Sequence, residues 1–369
     1  MDRIRPLAAR YLEALWIELR SDAAIYAVAA IYIVIGYVFM AGKGYLAFGM
    51  LNVYYGAWSM HFGVLGPVFV TIIGLLHIVI RLDARRRLAY RAMFAPRRVA
   101  RFVAGTILLL TAVLLFTTMF SAIKTSFPID HGFRFDVAQA DIDKAIHFGV
   151  DPWRLLYAVA EHPLVLRIVE MNYNVIWFII CYFTLYWVCT SPRTNGMRVR
   201  YVLTWLLSWA LIGTVMAGTW LSAGPAYYGL VTGDTARFAD QLAFLSTTAG
   251  ERNSAQAFQS YLWYLYSSGN VGIGSGISAF PSVHVAVTTI NALFIGEISR
   301  RFSVLMWAYV VFIIMSSVYL GWHYAIDGYV SVVTVTAIYW ALRKLIPTLA
   351  RLRWKARAER PTEVFARNS

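Results

Sequence analysis

Residues 303–346 read SVLMWAYVVFIIMSSVYLGWHYAIDGYVSVVTVTAIYWALRKLI. Two apolar runs, 303–322 and 326–346, meet at Gly321-Trp322-His323-Tyr324-Ala325-Ile326-Asp327. Each run has the roughly 20 residues that an α-helix needs to cross the hydrocarbon core of a bilayer. A helix satisfies its own backbone groups, which lipid cannot do for an open chain. The stretch therefore predicts two membrane-spanning helices joined by a turn at one membrane surface. Asp327 is the only acid in the pair.

Six further runs of this kind lie upstream, at about 23–41, 58–80, 102–122, 172–190, 201–221 and 282–298, which gives eight predicted spans. Composition agrees: 59% of the 369 residues are hydrophobic and 14% charged, against about 25% charged in soluble domains. The 58 aromatic residues (13 Trp, 23 Tyr, 22 Phe) fit the enrichment of rings where helices cross the two membrane interfaces. The fold class expected is all-α and polytopic. Cys181 and Cys189 fall in one apolar run, so neither a disulfide framework nor a thiolate metal site is expected.

Lys and Arg accumulate in cytoplasmic loops, and the connecting segments divide accordingly. Segment 81–101 holds eight arginines against Asp83; 191–200 holds Arg193, Arg198 and Arg200; 297–301 has Arg300 and Arg301 against Glu297; and 343–369 has eight bases against Glu359 and Glu363. On the other side, 123–171 has five bases against seven acids and 222–281 two against three. Eight alternating spans with both termini cytoplasmic satisfy every segment. The net charge of +14 is then an orientation signal and a contact for anionic lipid, with no need for nucleic acid. Three parts are expected: an amphipathic helix on the cytoplasmic surface over 1–22, a transmembrane catalytic domain over 23–346, and a basic cytoplasmic tail over 347–369. Externally, DVAQADIDKAIHFGVDPWRLL (136–156) predicts two short surface helices, and GNVGIGSGIS (269–278) a glycine-rich loop leading into Phe280-Pro281.

Of seven histidines, two stand in settings unlike the rest. His284 lies in Ala279-Phe280-Pro281-Ser282-Val283-His284, where the glycine-rich loop gives way to an apolar helix. Pro281 is expected in the first helical turn, where its missing N–H costs nothing, and the free N–H groups of such an end attract phosphate. His323 precedes Asp327 by four residues, which predicts one helical face and a carboxylate holding one imidazole nitrogen while the other stays free. The two histidines are 39 residues apart, one span out and one span back, so both return to the same face. By charge parity that face is non-cytoplasmic, and Lys124, in Ser121-Ala122-Ile123-Lys124-Thr125-Ser126-Phe127-Pro128, emerges there too. Two histidines, an orienting carboxylate, a helix N-terminus and a lysine suit phosphoryl transfer, one imidazole attacking phosphorus and the other protonating the leaving oxygen. A lone histidine such as His61 or His77 reads instead as an interfacial residue, and Lys124 has the rival reading of a snorkelling side chain.

In order and spacing, Lys124, then Pro281-Ser282-Val283-His284, then His323-Tyr324-Ala325-Ile326-Asp327 resemble the three motifs of the type 2 phosphatidic acid phosphatase (PAP2) superfamily. Phe-Pro-Ser-Val-His, Lys124 to Pro128, Phe148-Gly149-Val150-Asp151-Pro152-Trp153 and Ser222-Ala223-Gly224-Pro225-Ala226-Tyr227-Tyr228 are similar to the inositol phosphorylceramide synthase branch, and His-Tyr-x-x-Asp resembles sphingomyelin synthases. The resemblance implies a PAP2-like helical core over about 100–346. It implies His323 as nucleophile, Asp327 as its orienter, His284 as general acid and base, and Lys124 as a phosphate ligand. Ser282, Val283, Tyr227 and Tyr228 are the further expected substrate contacts. The phosphatase pattern carries arginine beside the proline of its first motif and before its last histidine, whereas Ser126-Phe127-Pro128 and Ser316-Ser317-Val318 have none.

The function expected is a membrane lipid phosphotransferase that moves a phospho-head group from a phospholipid donor to a lipid hydroxyl of ceramide or diacylglycerol type through a phosphohistidine, with no metal or other cofactor. The location expected is a bacterial inner membrane with the site on the periplasmic face. The alternative is a lipid phosphate phosphatase, with water in place of the acceptor. A transporter or scaffold is disfavoured, because the spans place almost no ionisable side chain at mid-membrane depth.

Overall fold

The computed structural model describes residues 4–44, 49–81 and 85–358. Their regular structure is helical, with no strand among the described residues. In chain order the helices are α1 (Ile4–Ser21), α2 (Ala23–Gly42), α3 (Gly49–Ile80), α4 (Arg86–Met93), α5 (Pro96–Asp130), α6 (Asp136–Ile146), α7 (Pro152–Ala160), α8 (Pro163–Thr190), α9 (Arg198–Thr219), α10 (Ala239–Leu245), α11 (Ala255–Ser268), α12 (Val283–Gly296), α13 (Arg300–Tyr319) and α14 (Ala325–Ala358). Seven of these, α2, α3, α5, α8, α9, α13 and α14, are long and apolar enough to cross a membrane, and α12 is a shorter apolar helix. These eight coincide with the eight predicted spans.

Several spans begin earlier than their apolar runs do. The helices start at residues 49, 96 and 163, not at 58, 102 and 172. Pro96 and Pro163 each stand at the first helical position, where a fixed φ favours helix and no donor is lost. The polar turns that follow continue the helix into the interface, beyond the reach of a hydropathy criterion.

Packing separates a centre from a periphery. In its most apolar window α3 has 6% of residues buried, against 56% in α5 and α9. The α3 helix therefore shows most of its surface to lipid, while α5, α9 and α12 form the core. The shorter α12 helix is wrapped by protein, with nine of its fourteen residues buried. Its interior polar groups are paired: Tyr201 Oη donates to Asn291 Oδ1 at 2.6 Å, and Trp177 Nε1 to Thr288 Oγ1 at 2.9 Å. Burial without such partners would cost about 1–3 kcal/mol per group.

At the basic end, α1 is fastened to the bundle through charge. Arg198 is fully buried and its Nη2 lies 2.7 Å from Asp22 Oδ2 and 3.0 Å from Glu18 Oε2, while Arg101 Nη1 lies 3.1 Å from the same Glu18 oxygen. Removing one partner of such a set leaves a buried charge unpaired, at about 3–5 kcal/mol. At the opposite end, α6, α7, α10 and α11 form a cover over the turns that join α9 to α12 and α13 to α14. The tail beyond residue 358 lies outside the described residues.

Candidate active site

Trp322 N and His323 N both donate to Ser317 O, which folds the chain back after α13 and brings His323 to the mouth of α14. His323 Nδ1 lies 3.1 Å from Asp327 Oδ2, and Tyr324 N donates to the same oxygen at 3.0 Å. The i to i+4 pairing is present, but the two residues do not share a helical face. His323 precedes the helix, and Asp327, in the first turn, reaches back to it. An ionised carboxylate only accepts, so it holds a proton on Nδ1 and leaves Nε2 with its lone pair outward.

His284 is placed by different means. It is the second residue of α12, whose N-cap is Ser282; the Ser282 hydroxyl accepts from Val285 N. Pro281 is therefore outside the helix, one residue before the cap and after a cis peptide bond, and not in the first turn as its residue type suggests. The Val283 and His284 N–H groups have no acceptor among the described residues, so the helix start keeps two free donors beside the imidazole. The His284 ring itself is held by rings. Tyr173 stacks on it at 4.6 Å and 18°, Trp177 lies 4.1 Å away, and Phe178 meets it edge-on at 5.9 Å. Tyr173 belongs to a π-helical turn, Asn172–Ile176, inside α8. Such turns add a residue to the helical repeat and often occur at functional positions. Tyr173 and Trp177, four residues apart, share a helical face, and the wider turn brings Phe178, five residues after Tyr173, round to the same imidazole. Trp177 Nε1 also donates to His284 O at 3.3 Å.

The two histidine segments are joined directly, for Ser282 N donates to Asp327 O at 3.2 Å. His323 and Lys124 both lie within electrostatic reach of the His284 imidazole. Lys124 projects from α5 beneath the glycine-rich loop. Gly276 has φ +94°, and a Cβ there would stand 2.9 Å from Lys124 C and Thr125 N. Only a residue without a side chain lets the loop lie that close. Lys124, Ser282, Val283, His284, His323 and Asp327 are thus brought together. Tyr227 and Tyr228 are buried in the packing of the cover: Tyr227 Oη donates to Gln259 O at 3.0 Å and its ring stacks on Trp263, while the Tyr228 ring meets Phe238 and the Arg237 guanidinium.

Two carboxylates that no sequence motif marks hold the site from outside. Both stand on α6, seven residues and two turns apart. Asp136 Oδ2 accepts from Ala223 N and Oδ1 from Gly224 N, each at 2.8 Å, and Oδ1 also accepts from Tyr324 Oη at 2.8 Å. Asp143 accepts from Ala325 N at 2.9 Å and Ile326 N at 3.0 Å, so it caps α14 from another helix. Burial pushes both carboxyls above the usual carboxylate range, and the donated hydrogen bonds pull the other way. Gln241 Nε2 donates to Val318 O at 2.7 Å and Gln259 Nε2 to Leu320 O at 2.8 Å. Four polar side chains of the cover therefore fix the His323 turn. The available signal was the polar stripe Asp136, Gln139, Asp143 on one face of α6, read beside a glycine-bearing loop that needed acceptors.

Three external arginines pair with acids of the cover, and Arg252 is exposed. Arg154 lies 3.4 Å from Asp240, Arg167 2.7 Å from Glu251, and Arg237 2.9 Å from Asp151.

Fold and site together define an integral membrane protein, all-helical, with two histidines, a buried carboxylate and a lysine gathered at one end of the helix bundle. A model of the PAP2 superfamily matches residues 138–341, more than half of the chain, and the protein belongs to that superfamily. The match takes in Asp143, His284, His323 and Asp327. Membership supports a lipid phosphatase or phosphotransferase type of activity. No curated protein and no solved structure matches the chain.

Proposed function

We propose that the protein is a lipid phosphotransferase of the inositol phosphorylceramide and sphingomyelin synthase kind, acting on phosphodiester donors. The observation that carries this is the His323–Asp327 contact at 3.1 Å, with the second imidazole tied across the site through Ser282 and Asp327. Nε2 of His323 attacks the donor phosphorus and the bond from phosphorus to the glyceride oxygen breaks. His284 gives that oxygen its proton. The head group remains on His323 through its phosphoryl group. A lipid hydroxyl then attacks phosphorus, His284 takes its proton, the P–N bond breaks, and His323 is regenerated with the head group on the acceptor. Lys124 and the free N–H groups at the start of α12 face the non-bridging oxygens.

Transfer is favoured over hydrolysis of a monoester by the count of cations. A monoester near pH 7 carries close to two charges and gains from bidentate guanidinium groups. A diester carries one charge, and surplus cations in a poorly hydrated pocket would be left unpaired, at several kcal/mol each. The motif positions hold no arginine, and Arg154, Arg167 and Arg237 each have an acid of the cover within ion-pair distance. The charge asymmetry of the loops supports cytoplasmic termini and a periplasmic site. An impermeant thiol reagent should then label Tyr90→Cys only after cells are opened; labelling in intact cells would invert the orientation. For the reaction, purified protein is incubated with labelled phospholipids, with and without ceramide or diacylglycerol. Head-group transfer to the acceptor is expected. Rapid release of inorganic phosphate from phosphatidic acid, with no head-group exchange, would replace this function by the phosphatase.

A further inference from the structure

One flank of the α6 helix is unusual for a helix on a water-soluble surface, while Asp141 and Lys144 are exposed elsewhere on it. Its buried residues are Asp136, Gln139, Ala140 and Asp143, while Ile142 and Ile146 are about half exposed. In water a helix that buries carboxylates and displays isoleucines loses on both faces. The segment that follows repeats the inversion. Phe148 is 98% exposed and has φ +59°, a left-handed conformation that is a genuine outlier for a bulky residue. Nothing inside the molecule repays that backbone cost, because the ring packs against nothing there.

This patch is continuous with the membrane belt. His147 Nε2 lies 3.0 Å from Tyr329 Oη and the two rings are 6.0 Å apart, which pins the end of α6 against α14. Tyr329 and Val333 are one turn apart on α14, exposed by 43% and 69%, and belong to the lipid-facing stripe of a span. The His147–Tyr329 contact therefore sets Ile146 and Phe148, the chain neighbours of His147, beside the exposed side of that span. We propose that the Ile142–Ile146 flank of α6 and the Phe148 tip are inserted into the adjoining leaflet, with lipid acyl chains covering Ile142, Ile146 and Phe148. Lipid above and the His323 turn below then account for both faces of the helix. Insertion sets the depth at which Asp136 and Asp143 hold the site, whichever reaction runs there.

The test uses the full-length protein in liposomes, with a nitroxide on Phe148→Cys and, separately, on Ile146→Cys. Cys181 and Cys189 are buried, so the unsubstituted protein serves as the labelling blank. Power-saturation measurements compare collisions with oxygen, which concentrates in lipid, and with a water-soluble nickel chelate. Both labels should favour oxygen by at least tenfold over a label on Asp234→Cys, an exposed residue of the cover. Chelate access equal to that of the Asp234→Cys label would overturn the insertion. So would protection from both reagents with dipolar broadening between labels, which would mean that a second copy covers the patch.

Discussion

The two histidines of the site are held by opposite kinds of chemistry. His323 is fixed by polar contacts: Asp327 on its Nδ1, Asp143 on the helix that carries Asp327, and Gln241 and Gln259 on the preceding carbonyls. His284 is fixed by aromatic rings, and no side chain hydrogen-bonds its imidazole among the described residues. The difference follows from what each must do in the proposed reaction. A nucleophile needs one tautomer at all times, and a carboxylate enforces it. A group that gives up a proton and takes one back needs a fixed ring plane and a nitrogen free of a permanent partner, which stacking supplies.

The sharpest way to break this division is to remove each imidazole in turn. His323→Ala should lower turnover by about 10⁴-fold or more and leave no covalent adduct. His284→Ala should slow transfer from a natural phospholipid by roughly 10²–10⁴-fold. With a donor whose leaving group is a nitrophenol, which departs without a proton, the same variant should still form the adduct. If both variants fail equally with that donor, the division of labour is wrong.

Asp327→Asn should come next, with a loss on the order of 10³–10⁴ in kcat and little change in KM, because the amide holds the wrong tautomer. Thermal unfolding of the detergent-solubilised variant should stay near that of the parent. A large fall in melting temperature with unchanged kcat would reassign Asp327 to a structural part.

Asp143→Ala removes an acceptor from two N–H groups at the start of α14, at roughly 1–3 kcal/mol of stability. Its effect on rate should act through the His323 turn, so adduct formation should slow while discharge of a preformed adduct by acceptor lipid changes in proportion. At the small end, Tyr173→Phe should retain near-parent activity and Tyr173→Leu should lose about tenfold, in line with roughly 0.5–1.5 kcal/mol for one ring pair. Equal losses in the two would mean that the hydroxyl, and not the ring, matters.

The polar half of the site was the more legible in the sequence, as far as it is local. The four-residue spacing of His323 and Asp327 is visible in the chain, as is the parity that returns both histidines to one end. The contacts of Asp136 with Gly224 and of Asp143 with Ile326 join residues 88 and 183 positions apart, and no local period announces them. The α6 helix shows why. The sequence predicts a short surface helix there, and the fold buries its acids Asp136 and Asp143. The ring cage around His284 escaped for a related reason: the π-turn at Asn172–Ile176 shifts the register of a span that composition alone reads as uniform. Pro281 stands outside the helix, because Ser282 takes the cap and the first turn begins at Val283.

The central claim is that His323 carries the head group between donor and acceptor. It is tested most directly by mixing the protein with a phospholipid bearing ³²P in its head-group phosphate, quenching in alkali, and mapping the label by mass spectrometry. An acid-labile phosphoryl group, with the head group attached, is expected on the peptide containing His323, discharged onto lipid when ceramide or diacylglycerol is added before the quench. Label on His284, or rapid turnover with no adduct on His323 at any time, would contradict it.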